Sequence, residues 1–275
     1  MKRPVIEFVD FTFRYASQQV ATLRNINLTI FEGEKILVLG PSGSGKSTLA
    51  NCINGLIPFS YKGEITGQCK VAGMETSHAS IFSLSKNVGT VLQDSDAQFV
   101  GLTVGEDIAF ALENQMVARN EMIPIVLKSA NIVGMSEFLG HSPFELSGGQ
   151  KQKVALGGVL NEQTSILLFD EPLASLDPQA GMHAIELIEE IHNQGKTVVI
   201  IEHRLEDVLH RAVDRVIVVN EGEIVFDGEV DDLLAQRKLH AYGIREPLYL
   251  TQLEYAGCVY DAKDHPSDIE TMDLQ

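Results

Sequence analysis

The sequence predicts an α/β fold: a core with a mainly parallel sheet, an N-terminal antiparallel β subdomain and an inserted α-helical subdomain. Three observations carry this. Ile166–Phe169, Thr197–Ile201 and Val216–Val219 are near-continuous apolar runs separated by helical stretches, the pattern of parallel strands covered on both faces. Near the N-terminus, Ile6–Arg14 instead alternates, with Phe11 and Phe13 flanking Thr12, as an antiparallel strand does. Between residues 103 and 139 the apolar marks Ile108, Leu112, Ile125, Val126 and Ile132 read as helix and interrupt the strand–helix alternation.

The remaining elements follow in order. Asn25–Ile30 is a second strand, and Glu32-Gly33-Glu34 a turn before the apolar strand Ile36–Leu39. A helix is expected over Thr48–Asn54. Residues 60–73 read as short strand pieces broken by Gly63, Gly67 and Gly73, and Val88–Leu92 as another strand. Gln179–Asn193 is an amphipathic helix. Glu223–Phe226 reads as an edge strand ended by the turn pair Asp227-Gly228, with a short helix at Val230–Gln236. Residues 261–275 hold five acidic residues and one lysine without periodicity, as a solvated tail or linker would.

Bulk properties narrow the classes. With 275 residues and 44% apolar composition, the chain has enough material for a full core. A net charge of −17 argues against a protein that works by wrapping nucleic acid. The absence of an 18-residue apolar run predicts that the chain itself does not span a membrane, and Met1-Lys2-Arg3-Pro4 leads into a strand rather than a signal core. Cys52, Cys69 and Cys258 show no paired spacing, which predicts neither a zinc site nor a disulfide framework and fits a reducing cytoplasm.

The chemistry begins at Gly40-Pro41-Ser42-Gly43-Ser44-Gly45-Lys46-Ser47-Thr48, set between the strand Ile36–Leu39 and a helix. All positions of a Walker A phosphate loop are filled, which makes the parallel core a P-loop NTPase core. Glycines let successive N–H groups turn toward phosphate oxygens, and the helix start adds partial positive charge. Lys46 is expected to reach the β- and γ-phosphates and Ser47 to ligate Mg²⁺, so ATP and Mg²⁺ are the expected ligands. Leu146-Ser147-Gly148-Gly149-Gln150, 20 residues before Asp170, is a second anion nest at a helix start, with Ser147 as cap. Ile166-Leu167-Leu168-Phe169-Asp170-Glu171 fits a Walker B strand that carries Asp170 to its carboxyl end.

Over residues 5 to 236, these motifs resemble the ATP-binding subunit of an ABC transporter. The resemblance implies an ABC ATPase domain over 1–236, with a helical subdomain at about 100–160. It leaves 237–275 as a C-terminal extension or linker, partly disordered, leading toward a second cassette. It implies that Asp170 holds Mg²⁺, that Glu171 is the general base and that His203 contacts the γ-phosphate. Gln93 becomes the Q-loop residue sensing Mg²⁺ and γ-phosphate, and Tyr15 the aromatic stacked on adenine. Ser175-Leu176-Asp177 resembles the loop crossing the dimer interface, although Asp177 is equally a helix cap before Pro178.

In this family Walker A of one subunit faces Ser147, Gly148, Gly149 and Gln150 of another. One copy of each therefore implies a second ABC ATPase subunit, in a homo- or heterodimer. The other expected partner is an integral membrane transporter or coupling subunit, with the chain peripheral on the cytoplasmic face of the cell membrane. Its dock would lie near Gln98–Phe110, with apolar contacts from Phe99, Val100, Leu102 and Val104. Gln93–Phe99 and the opening Glu7–Tyr15 are similar to energy-coupling-factor ATPases, which serve vitamin and metal importers, though Asp94, Ser95 and Ala97 depart from that pattern. A soluble ABC ATPase of translation or DNA repair is the alternative. The absence of tandem cassettes or a coiled-coil insert and the acidic charge disfavour it.

Overall fold

Strands apolar at every position need cover on both faces, and the period of two along each strand decides which residue meets which layer. The computed structural model describes residues 2–92, 98–209, 211–248, 251 and 255. β1 (Pro4–Tyr15) and β2 (Leu23–Phe31) form an antiparallel pair, and β3 (Lys35–Leu39) opens the core sheet. α1 (Lys46–Ile53) and the single turn α2 (Leu56–Phe59) follow, then β4 (Gly63–Val71), β5 (Met74–Glu75), α3 (Ile81–Ser85) and β6 (Val88–Val91). The insert contributes α4 (Val104–Asn114), α5 (Arg119–Ile132) and α6 (Gly148–Val159). Alternation resumes with β7 (Ile166–Asp170), α7 (Pro178–Asn193), β8 (Thr197–Ile201), α8 (Leu205–Val208), β9 (Arg215–Asn220), β10 (Glu223–Gly228) and α9 (Val230–Ala235).

The first sheet has the order β2-β1-β4-β5 and is antiparallel throughout. The second has the order β10-β9-β3-β8-β7-β6, parallel except for the edge strand β10. Alternate residues of the core strands serve two separate apolar layers. Ile36, Val38, Ile166, Leu168, Val199 and Ile201 pack with β1, β2 and α1. Leu37, Leu39, Leu167, Phe169, Val198 and Ile200 pack with the insert and α7.

The structure corrects several sequence expectations. Residues 63–71 form one strand, not pieces: Gly67 at φ +76° sits opposite Asp10 at φ +47°, and the register shift between Val9 and Thr12 absorbs both as a bulge. Asp10 is held there by Asn27, whose Oδ1 accepts its N–H at 2.9 Å. A Cβ on Gly67 would lie 2.3 Å from the Asp10 carbonyl oxygen. Gly67→Ala is therefore expected to cost about 1–3 kcal/mol, read as a lower midpoint in urea unfolding.

Asp227 and Gly228 do not end β10; they pair with Ile217 and Val216 inside it. The phosphate-loop helix begins at Lys46, two residues earlier than expected, and α7 begins with Pro178. The helical stretch is split at Met116, whose φ is +59°, and α4 is opened by a capping box between Thr103 and Glu106. Ile125 faces outward; Val126 and Ala130 of α5 are buried in the core, and Met122 and Ile132 pack against it. Cys52 and Cys69, distant in sequence, are both buried free thiols, and burial pushes the Cys69 thiol up to about 12.

Several contacts join the two sheets, among them the Arg215 guanidinium donating to the Thr29 carbonyl at 2.6 Å, and one of them reaches the phosphate loop. The turn between β9 and β10 carries Gly222, whose N–H donates to the Ser44 carbonyl at 2.9 Å while its own carbonyl accepts the Arg24 N–H at 2.7 Å. Gly222 takes φ +80°, and a Cβ there would meet the Thr22 carbonyl at 2.4 Å.

Candidate nucleotide site

Parallel strands end at a common edge, and residues just beyond their carboxyl ends converge on one crevice. β3 delivers the loop Gly40–Gly45, β7 delivers Asp170 and Glu171, and β8 delivers Glu202 and His203. The loop depends on backbone freedom at Gly40, where φ is +150° and a Cβ would sit 2.0 Å from the Val219 carbonyl oxygen. Gly43 and Gly45 also have positive φ.

Gly45 is the N-cap of α1, and no side chain caps it. The first-turn N–H groups of a helix have no intrahelical acceptor, so this start is left free to meet an anion. Ser42 and Gly43 lie exposed on the loop, while Ser44 is buried and its Oγ is unpartnered.

Lys46 is 4% exposed, and its Nζ donates to the carbonyls of Gly40 at 2.8 Å and Pro41 at 2.9 Å. Burial lowers its pKa, opposed by Glu171, Asp170 and Glu202, whose charges raise it. Ser47 Oγ donates to Asp170 Oδ1 at 3.3 Å. Asp170 is raised above the usual carboxylate range by burial first, with Glu171 also raising it and the Ser47 hydrogen bond, Lys46 and His203 opposing.

A hydroxyl and a carboxylate oxygen side by side suit a hard divalent cation such as Mg²⁺. No group of three or more His, Cys, Asp or Glu among the described residues is arranged to hold a metal unaided. Ser47 and Asp170 would therefore share Mg²⁺ with phosphate oxygens.

Glu171 stands in the left-handed region at φ +51°, its N–H donating to the Ile201 carbonyl at 2.9 Å. Its Oε1 lies 2.5 Å from His203 Nε2. The carboxylate and imidazole thus form a pair at the mouth of the crevice. Tyr15 closes the other flank: its hydroxyl is 3.1 Å from Thr48 Oγ1, and its ring is edge-on to Phe13 and Tyr61.

Lys46, Ser47, Thr48, Asp170, Glu171, His203 and Tyr15 are joined by these contacts. The second nest stands apart from them, exposed at the start of α6. There the Ser147 Oγ accepts the Gln150 N–H at 3.3 Å and Gln150 Oε1 accepts the Ser147 N–H at 2.9 Å. Unlike α1, this helix is closed by its own capping box. Gly148 and Gly149 pack against Ser175. Asp177 does cap α7, accepting the Ala180 N–H at 3.0 Å. Gln93 lies outside the described residues, as do Asp94, Ser95, Asp96 and Ala97.

Two further side chains hold the strand ends, one within the segment Gln93–Phe99 and one outside any motif. Gln98 bridges the strand end, accepting the Leu92 N–H and donating to the Thr90 carbonyl, both at 3.0 Å. Glu202 is 2% exposed directly after a fully apolar strand; a charge in that position is the signal the sequence offers.

A glycine-cradled loop, an uncapped helix start and a carboxylate pair at adjoining strand ends define a nucleoside triphosphate-binding cassette. The ABC transporter family profile matches residues 23–174, and the chain belongs to that family. A second profile, described as ATP-binding cassette cobalt transporter, matches residues 236–275. The chain is similar to a putative ABC transporter ATP-binding protein of Vibrio vulnificus, 57% identical over 270 residues, covering 98% of this chain and 47% of that protein. It is similar to another of Enterococcus faecalis, 59% identical over 258 residues, covering 94% and 45%. The chain thus spans about half the length of these relatives.

Among solved structures it resembles CbiO1 of Clostridium perfringens, described as part of the ABC transporter complex CbiONQ. The TM-score is 0.72 at 28% identity, covering 87% of this chain and 96% of that one. It also resembles the dimeric cassette MJ0796 bound to ADP and Pi, with TM-score 0.73 and 28% identity over 82% of this chain and 98% of that one.

Proposed function

We propose that the chain supplies an ATP-binding and hydrolysing cassette to a membrane ABC transporter, and that the transporter imports a micronutrient, a vitamin or a transition metal, in the energy-coupling-factor manner. The Glu171–His203 pair beside Lys46 and Asp170 carries the hydrolytic reading. In it, the loop Gly40–Gly45 and Lys46 bind the triphosphate, and Tyr15 packs on the base. Ser47 and Asp170, together with Gln93 as the resemblance implies, would hold Mg²⁺, which would supply charge neutralisation at the phosphates. Glu171 orients and deprotonates the attacking water, and His203 holds that carboxylate and faces the γ-phosphate.

The exposed Ser147–Gln150 nest fits a role toward a second cassette's nucleotide, with the Ser175-Leu176-Asp177 loop alongside. The relatives contain about as much chain again as is matched here, room for a second cassette in the same polypeptide. Domain limits of 1–236 for the cassette and 237–275 for an extension belong to the same proposal. The profile over 236–275 and the likeness to CbiO1 favour a metal or vitamin importer. No helix among the described residues is long and apolar enough to cross a membrane, which fits peripheral attachment to the cytoplasmic face through a membrane-embedded partner.

The docking surface needs revision from the sequence expectation. Val104 is fully buried and offers no free surface, and Phe99 is half-buried against the core. Val100, Leu102 and Phe110 are exposed, on a segment pinned by Asp107, whose Oδ1 accepts the N–H groups of Val100 and Gly101. Leu102, 83% exposed, is the residue to change. Leu102→Asp is expected to leave ATP binding intact while lowering uptake at least ~10-fold, since a buried unpaired charge would enter the interface. The test is co-purification from solubilised membranes with radiolabelled cobalt and vitamin uptake. Recovery without any membrane protein, or unimpaired uptake by the variant, would count against the proposal.

A further inference from the structure

We propose that Glu202 is a positioning residue for the hydrolytic centre, fixing the Glu171–His203 pair to the loop that leads to Ser175-Leu176-Asp177. The inference rests on the hydrolytic reading above.

Two loops converge on the Glu202 carboxylate. Its Oε1 accepts the Leu173 N–H at 2.9 Å; its Oε2 accepts the His203 N–H at 3.0 Å and the Arg204 N–H at 3.5 Å. A carboxylate this buried is unfavourable unless donors replace water, and here backbone N–H groups do so. Arg204 completes the clamp, its guanidinium donating to the Leu173 carbonyl. Both backbone polar groups of Leu173 are therefore held by residues 202 and 204.

Leu173 stands two residues after Glu171 and two before Ser175. Its carbonyl also accepts the Leu176 N–H at 3.2 Å, and the Glu171 carbonyl accepts the Ala174 N–H at 3.1 Å. The left-handed backbone at Glu171 is thus bounded by β8 through Ile201 on one side and by the Glu202 clamp on the other. His203, the other member of the pair, is tied by its own N–H to the same carboxylate. One side chain sets where base, imidazole and interface loop stand relative to one another. Gly148 and Gly149 pack on Ser175, so the clamp also lies on the covalent and packed route to the second nest.

Glu202→Gln keeps the volume but puts an NH2 against one of these N–H donors, so one loop loses its acceptor. In the purified protein, kcat is expected to fall at least ~10-fold, since small misplacements at a reacting centre are costly. The Kd for a fluorescent ATP analogue is expected to stay within about two-fold, because the phosphate-loop contacts are untouched. Turnover is to be counted per nucleotide-binding site, so that a loss of folded protein does not mimic the effect. Arg204→Ala opens the same clamp from the outside and is expected to lower kcat ~3-fold, also without weakening binding. It decides the question if the Gln variant does not fold. Normal turnover per binding site in the variant that folds makes Glu202 a structural residue only and overturns the inference. Wild-type protein that binds but never hydrolyses ATP would instead overturn the hydrolytic reading, and this inference with it.

Discussion

Glu171→Gln is expected to bind ATP as tightly as the unaltered protein while its turnover falls by about 10²–10⁴-fold, the range a positioned general base supplies. The amide has nearly the volume of the carboxylate but no basicity. The crevice charge that Lys46 feels falls by one, which favours rather than opposes a polyanionic ligand. The Glu171–His203 contact survives in altered form, since an amide oxygen can accept from an imidazole N–H. The expected product is a nucleotide-loaded cassette pair that closes and does not reopen, seen as a stable dimer by size-exclusion chromatography with ATP and Mg²⁺. Residual turnover within three-fold of wild type would remove Glu171 from the role of base.

Lys46→Ala acts earlier. The ammonium is acted upon by the carboxylates Glu171, Asp170 and Glu202 together. Before nucleotide arrives it donates to the carbonyls of Gly40 and Pro41, so phosphate binding exchanges two neutral acceptors for charged ones. Its removal leaves a cavity lined by acceptors and facing three carboxylates. A charge-assisted hydrogen bond is worth about 1.5–3 kcal/mol, so ATP affinity is expected to fall ~10–100-fold, measured by isothermal titration calorimetry. Binding within two-fold of wild type would mean that the backbone nest alone holds the phosphates.

Much of the fold was legible because side-chain period and backbone period agree. Ile166–Phe169 and Thr197–Ile201 are near-continuously apolar and fully buried because both faces of their sheet are covered, and they appear where expected. Gly67 misled because a glycine in a strand reads as a break; only the facing left-handed Asp10 shows it to be half of a paired bulge. Asp227-Gly228 reads as a turn by residue type, yet pairing with β9 overrides that preference.

Lys46 stood out through its phosphate-loop motif, and Asp170, Glu171 and His203 through resemblance to the family's motifs at strand ends. Glu202 and Arg204 did not, because both reach the backbone of Leu173 in a distant loop, and backbone groups leave no trace in residue type.

Gly222 ties the phosphate loop to one sheet and, through Arg24, to the other. Gly222 thus links the stability of the loop to that of both sheets. Nucleotide held in the loop is then expected to protect the β1–β2 hairpin as well. The antiparallel sheet, which reaches the site at the Tyr15 end of β1, becomes a thermodynamic reporter of occupancy.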